Sequence, residues 1–164
     1  MIKYYVGFFK NRDDSSIYAK AIMDTEGTDC NHVEILRLDT DKNETFCFGA
    51  VHPTSRKINL NDLEKTHELV RAVEVTVEDQ IYADFVLTGL MGKPYSILQP
   101  LLILWRLKIH AWSKWIPFVK LNTKSLLICT ELVGEFLIDA CGYKLPISQE
   151  MLGIRDVQEI VGKG

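Results

Sequence analysis

An α+β fold is the class this 164-residue chain predicts, and three observations carry the prediction. Runs of β-branched and aromatic residues with period-two alternation recur in the first half of the chain. Segments with apolar residues at helical spacing follow them and separate them. The two clearest alternating runs are joined by a short polar turn, as a hairpin needs, so neighbouring strands are expected to be antiparallel. The length suits one domain with one core, residues 1–164, and no repeat, low-complexity tract or linker divides it.

The elements follow in chain order. "IKYYVGFF" reads as a strand. "DDSSIYAKAIM" suits a short helix with Asp or Ser as its cap and Ile17, Ala21 and Ile22 as its apolar positions. "HVEILRL" alternates, with Val33, Ile35 and one of Leu36 or Leu38 pointing one way, and with His32, Glu34 and Arg37 facing elsewhere. "ETFCFGAV" is its hairpin partner across the turn "DTDKN". "HPTSRKINLND" reads as a loop, "LNDLEKTHELVRA" as partly helical, and "VEVTV" as a strand. "EDQIYADFVLTGLMG" has helical periodicity and stops at Gly92. Pro94 then breaks the helix, because the residue before a proline is disfavoured from helical backbone. In "SLLICTELVGEFLIDACGY" the residues Ile128, Leu132, Val133, Phe136, Leu137 and Ala140 recur at helical spacing, and Gly142 ends the run. "MLGIRDVQEIVGKG" closes the chain.

Composition narrows the function classes. With 47% hydrophobic and 25% charged residues the chain is globular rather than disordered. A net charge of −3 and the lack of a basic block argue against a nucleic-acid partner. Four cysteines, Cys30, Cys47, Cys129 and Cys141, make no CxxC or other metal-ligand spacing, so neither a metal nor another cofactor is expected. The N-terminus has no signal-peptide pattern; a cytoplasmic setting with reduced thiols is the expectation. "LLILWRLKIHAWSKWIPFV" holds Trp105, Trp112 and Trp115, but Arg106, Lys108 and Lys114 interrupt it, so a transmembrane span is not expected. The segment reads either as cover for the core or an oligomer interface, or as a stretch lying on a membrane surface.

Cys129 is the residue with chemical promise. A thiol at the opening turn of a helix feels the positive end of the helix dipole and nearby unpaired N–H groups. Both favour the thiolate, which is the nucleophilic form. Such a nucleophile needs a base, usually a histidine. Of His32, His52, His67 and His110, His32 is best placed, because it opens an alternating strand and a strand end is a rigid platform. His52 and His67 fall in loop or polar-helix surroundings and read as solvated. Cys141, Cys30 and Cys47 read as structural.

The order "CNHVEIL", then "GKPYS", then "LLICTELVGEFL" resembles the circularly permuted NlpC-type papain-like cysteine hydrolases, the YiiX-like group of bacteria and their phages in particular. The similarity runs from about Ser15 to Gly142. It implies an antiparallel sheet packed against helices, with the nucleophile helix in the core. By the same resemblance Cys129 matches the nucleophile, His32 the base and Tyr95 a cleft residue near the substrate. Thr130, Glu131, Leu132 and Val133 match the rest of the cysteine motif. The family's third polar residue, which orients the histidine, usually lies on the strand after the histidine strand. Here Gly49 and Ala50 stand where a carboxylate is expected, which leaves Glu44, Glu34 or none. The implied activity is hydrolysis of peptide or amide bonds through a Cys129 thioester. A thiol acyltransferase or lipase-like enzyme acting on lipid at a membrane, and a non-catalytic binding scaffold, are the alternatives.

Overall fold

The computed structural model describes residues 1–13, 16–96 and 127–162. The segment carrying Trp105, Trp112, Trp115 and His110 lies outside the described residues, as does Ser125. The opening aromatic run forms strand β1 (Ile2–Asn11), and the hairpin read from the sequence forms β2 (His32–Asp39) and β3 (Glu44–Ala50). Two further strands are β4 (Ser55–Asn59) and β5 (His67–Val75). Together they make one sheet in the order β4-β3-β2-β1-β5, antiparallel at every junction.

Two segments differ from the sequence reading, and both are edge strands. "SRKIN", read as loop, is β4; its charged Arg56 and Lys57 suit a sheet edge, and Lys57 Nζ lies 4.1 Å from the centre of the Phe46 ring. The helical part of "LNDLEKTHELVRA" is confined to α2 (Leu60–Leu63), capped by the Asn59 side chain. From His67 onward the chain is extended. The alternation of Leu69, Val73 and Val75 belongs to that strand, and its exposed intervening residues are those of an edge.

β2 lies in the middle of the sheet, so its first five residues are buried on both faces. The expectation that His32 and Glu34 face away from the buried side is corrected by this position. Val33 and Ile35 join the main core, whereas Leu36 packs on the other face with Phe9, Cys47 and Leu63.

Helices cover the main face. They are α1 (Ile17–Glu26), α3 (Gln80–Leu90), α4 (Cys129–Asp139) and α5 (Ile154–Val161). Ser16 caps α1, its hydroxyl accepting the Ala19 N–H at 3.2 Å, and Asp79 caps α3 through the N–H groups of Ile81 and Tyr82. In α4 the apolar stripe read from the sequence is buried throughout: Ile128, Leu132, Val133, Phe136, Leu137 and Ala140. All but Ile128 meet Tyr4, Val6, Phe8 and Val33 of the sheet in one cluster. Gly142 ends this element with a left-handed φ of 68°, which glycine adopts without a Cβ penalty.

A polar clamp ties the sheet to α3. Arg37 donates to both carboxylate oxygens of Asp84, at 2.7 and 2.9 Å, and the Tyr4 hydroxyl donates to Asp84 Oδ1 at 2.7 Å. Among the described residues, no helix is long and apolar enough to cross a membrane.

Candidate active site

Cys129 is the first residue of α4, and two isolated bridges, Pro94 with Thr54 just before β4 and Tyr95 with Leu127, tie its approach to the sheet edge. Tyr95 forms a parallel bridge with Leu127, while Ser96 N–H donates to the Leu127 carbonyl and Leu127 N–H to the Pro94 carbonyl. The "KPYS" break thus runs beside the residues that lead into α4. Ile128 occupies the N-cap position, and its apolar side chain makes no capping hydrogen bond. Backbone donors of the first turn are left without a side-chain cap, as an anion-stabilising helix end requires.

His32 stands at the first position of β2, opposite Phe9 of β1. Its ring interacts electrostatically with the Cys129 thiol and, through Nε2, hydrogen-bonds with Glu34 Oε1 at 2.8 Å. The three side chains therefore form a relay of thiol, imidazole and carboxylate, in which only the histidine–carboxylate pair is local in sequence. The Phe9 ring lies 6.5 Å from the His32 ring.

Electrostatics favour a charged imidazole. Burial works against the charge, but the neighbouring Cys129 and Glu34, through their polar contact and negative charge, hold the His32 pKa up at about 10. Glu34 is wholly buried, and its second oxygen, Oε2, has no hydrogen-bond partner among the described residues. A carboxylate in that setting depends on its cationic neighbour for compensation.

Gly49 makes this arrangement fit. A Cβ placed on Gly49 would collide with the Glu34 carboxyl carbon and Oε1, and would stand 2.6 Å from Cγ. The Glu34 side chain fills the space that any residue at 49 would claim. Glu44, the other carboxylate considered, is exposed at the far end of the hairpin, paired with Asp39, and does not reach the histidine. The side-chain period of two puts Glu34 on the same face as His32; Glu44 opens the next strand beside the turn.

A cavity of about 160 Å³ opens onto the sulfur and the imidazole. Cys129, His32 and Tyr95 all line it, so three of the sequence candidates converge. Asn31, Glu26 and His67 join them. Glu26, at the end of α1, accepts the Arg155 N–H at 2.9 Å and so ties α1 to the start of α5; burial raises its pKa against that bond. His67 is the main addition. The sequence reading placed it in solvated surroundings, yet its ring centre lies 5.4 Å from that of His32. Continuing the alternation of Leu69, Val73 and Val75 backward to 67 would have put it on the strand. Burial raises the pKa of Cys30, Cys47 and Cys141, and none of the three lines this cavity. No three His, Cys, Asp or Glu side chains converge as a metal site would need, among the described residues.

Compared with models of known families, and with curated proteins, the chain finds no match to either.

Proposed function

We propose that the protein is a cysteine hydrolase of amide or peptide-type bonds, with a circularly permuted papain-like fold. The observation that carries this reading is the relay of Cys129, His32 and Glu34 at an uncapped helix N-terminus. The α+β architecture, with the histidine strand preceding the nucleophile helix in the chain, is compatible with the permuted fold.

The chemistry would run in two halves. The Cys129 sulfur attacks the substrate carbonyl carbon, and the carbonyl π pair moves to oxygen. Main-chain N–H groups at the start of α4 receive that oxyanion. Collapse restores the carbonyl and breaks the carbon–nitrogen bond, while the His32 imidazolium gives its proton to the departing amine. Water then attacks the thioester and passes a proton to His32. The acid leaves, and the sulfur regains the electron pair of the broken carbon–sulfur bond. Glu34 holds the imidazole in position through both halves and balances its charge.

The reading is tested with p-nitrophenyl acetate as an acyl donor, by following nitrophenolate release and mapping the acetylated residue. A burst of release with acetyl on Cys129, absent from Cys129→Ala, is expected. Acetylation no faster than in Cys129→Ala would contradict it.

A further inference from the structure

Glu34 and an edge arginine share one row across the sheet. The pairing of Ile35 with Phe48 sets Glu34 against Gly49, and the Glu34 carboxyl lies over Gly49. Gly49 pairs in turn with Arg56 of β4, while Gly7 faces Glu34 from β1 and Ala72 lies beyond it on β5. Residues directly opposite each other in an antiparallel ladder project to the same face. The row therefore runs Ala72, Gly7, Glu34, Gly49, Arg56. Arg56 is its one cation, and the residue between it and Glu34 has no side chain.

Each of the two charged groups also has one buried atom left over. Glu34 Oε2 and Arg56 Nε are both shut off from water and without a hydrogen-bond partner among the described residues. An arginine on an edge strand could run out into solvent, yet Arg56 is half-buried and keeps its Nε inside. Burying part of a charged group is costly unless opposite charge lies near. The fields of the two groups overlap as well: Cys47 and His67 each feel both the negative charge of Glu34 and the positive charge of Arg56. The relay itself calls for a cation. With the thiol ionised and the imidazole protonated, sulfur, ring and carboxylate sum to one negative charge, which a guanidinium beside the carboxylate balances.

We infer that Arg56 is a positioning residue of this site, its positive charge holding the ionised Glu34 carboxylate from across Gly49 so that Glu34 in turn holds His32. The inference rests on the hydrolase reading. Arg56 touches no substrate in this role and acts only through Glu34.

The test measures acetylation of Cys129 by p-nitrophenyl acetate in wild type, Arg56→Met, Arg56→Gln, Arg56→Lys, Glu34→Gln and the double variant Glu34→Gln/Arg56→Met, with folding checked by circular dichroism. Arg56→Met and Arg56→Gln, two independent ways of removing the charge, should each slow acetylation by roughly tenfold, within the range by which members of one charge network couple. Arg56→Lys, which keeps the charge, should recover most of that loss. On the Glu34→Gln background the Met substitution should change the rate by less than about twofold, because its target is already neutral. Acetylation of the neutral variants at the wild-type rate overturns the inference and leaves the hydrolase reading standing. A loss that Arg56→Lys does not recover does the same. So does an equal loss on both backgrounds, since Arg56 would then act through another group, such as Glu64, whose charge also reaches Cys47. A wild type that forms no acetyl-enzyme overturns both.

Discussion

The carboxyl group of Glu34 lies over Gly49, in the space a side chain on β3 would otherwise fill. The two residues are complementary: β3 gives up its side chain where β2 supplies the carboxylate that holds His32. Gly49→Ala would drive a methyl group into the Glu34 carboxyl. Overpacking of this kind costs roughly 1–3 kcal/mol, and displacement of Glu34 should also slow acetylation of Cys129. Denaturant titration and burst kinetics together check this. Unchanged stability with unchanged kinetics would show that Glu34 adjusts freely.

The Glu34–His32 bond should be visible in the titration of the histidine. His32 is held up at about 10 partly by Glu34 and Cys129, so Glu34→Gln and Cys129→Ser should each lower its pKa toward the ordinary 6.5. Imidazole NMR across pH reads this directly. Glu34→Gln should also reduce acylation by roughly 10²–10⁴, the range over which positioned acid–base groups act.

Stability should depend on pH through both imidazoles, with opposite signs. The folded-state pKa of His32 is raised, so its contribution is complete below the unfolded value of 6.5 and is lost as pH rises toward about 10. The folded-state pKa of His67 is lowered, so its contribution is present above 6.5 and is lost as pH falls toward about 4. Thermal melts should therefore show the stability of the wild type falling from pH 6.5 to 4 more steeply than that of His67→Phe. Parallel curves would contradict the burial assigned to this ring.

Away from the cleft, Asp84 joins Arg37 and Tyr4. Asp84→Ala strands a partly buried tyrosine hydroxyl and should cost roughly 1–3 kcal/mol, measured by denaturant unfolding. The acetylation rate of the folded variant should match wild type, since Asp84 does not line the cavity.

Much of this site is legible in the sequence because its signals are local. The apolar spacing through Ile128, Leu132 and Phe136 places Cys129 at a helix start, and "HVEILRL" places His32 at a strand start. Tyr95 could be placed in the cleft only through the family resemblance, since its bridge to Leu127 is a tertiary contact. The choice between Glu34 and Glu44 needs the register of β2 against β3 and the empty space above Gly49; the spacing of the residues fixes neither. His67 was lost because "LNDLEKTH" begins with a real helical turn, and the polar residues of an exposed edge strand weaken the alternation that follows. β4 was lost for the same reason: five residues, two of them basic, carry little hydrophobic pattern.

The central claim is the proposal that His32 activates the Cys129 thiol. It is tested most directly by iodoacetamide labelling at about pH 6, where an ordinary thiol is overwhelmingly protonated, with peptide mapping of all four cysteines. Cys129 should be labelled well ahead of Cys30, Cys47 and Cys141, and His32→Ala should slow it by roughly tenfold or more. Labelling of Cys129 at the rate of free cysteine, or at the same rate in His32→Ala, would contradict the account.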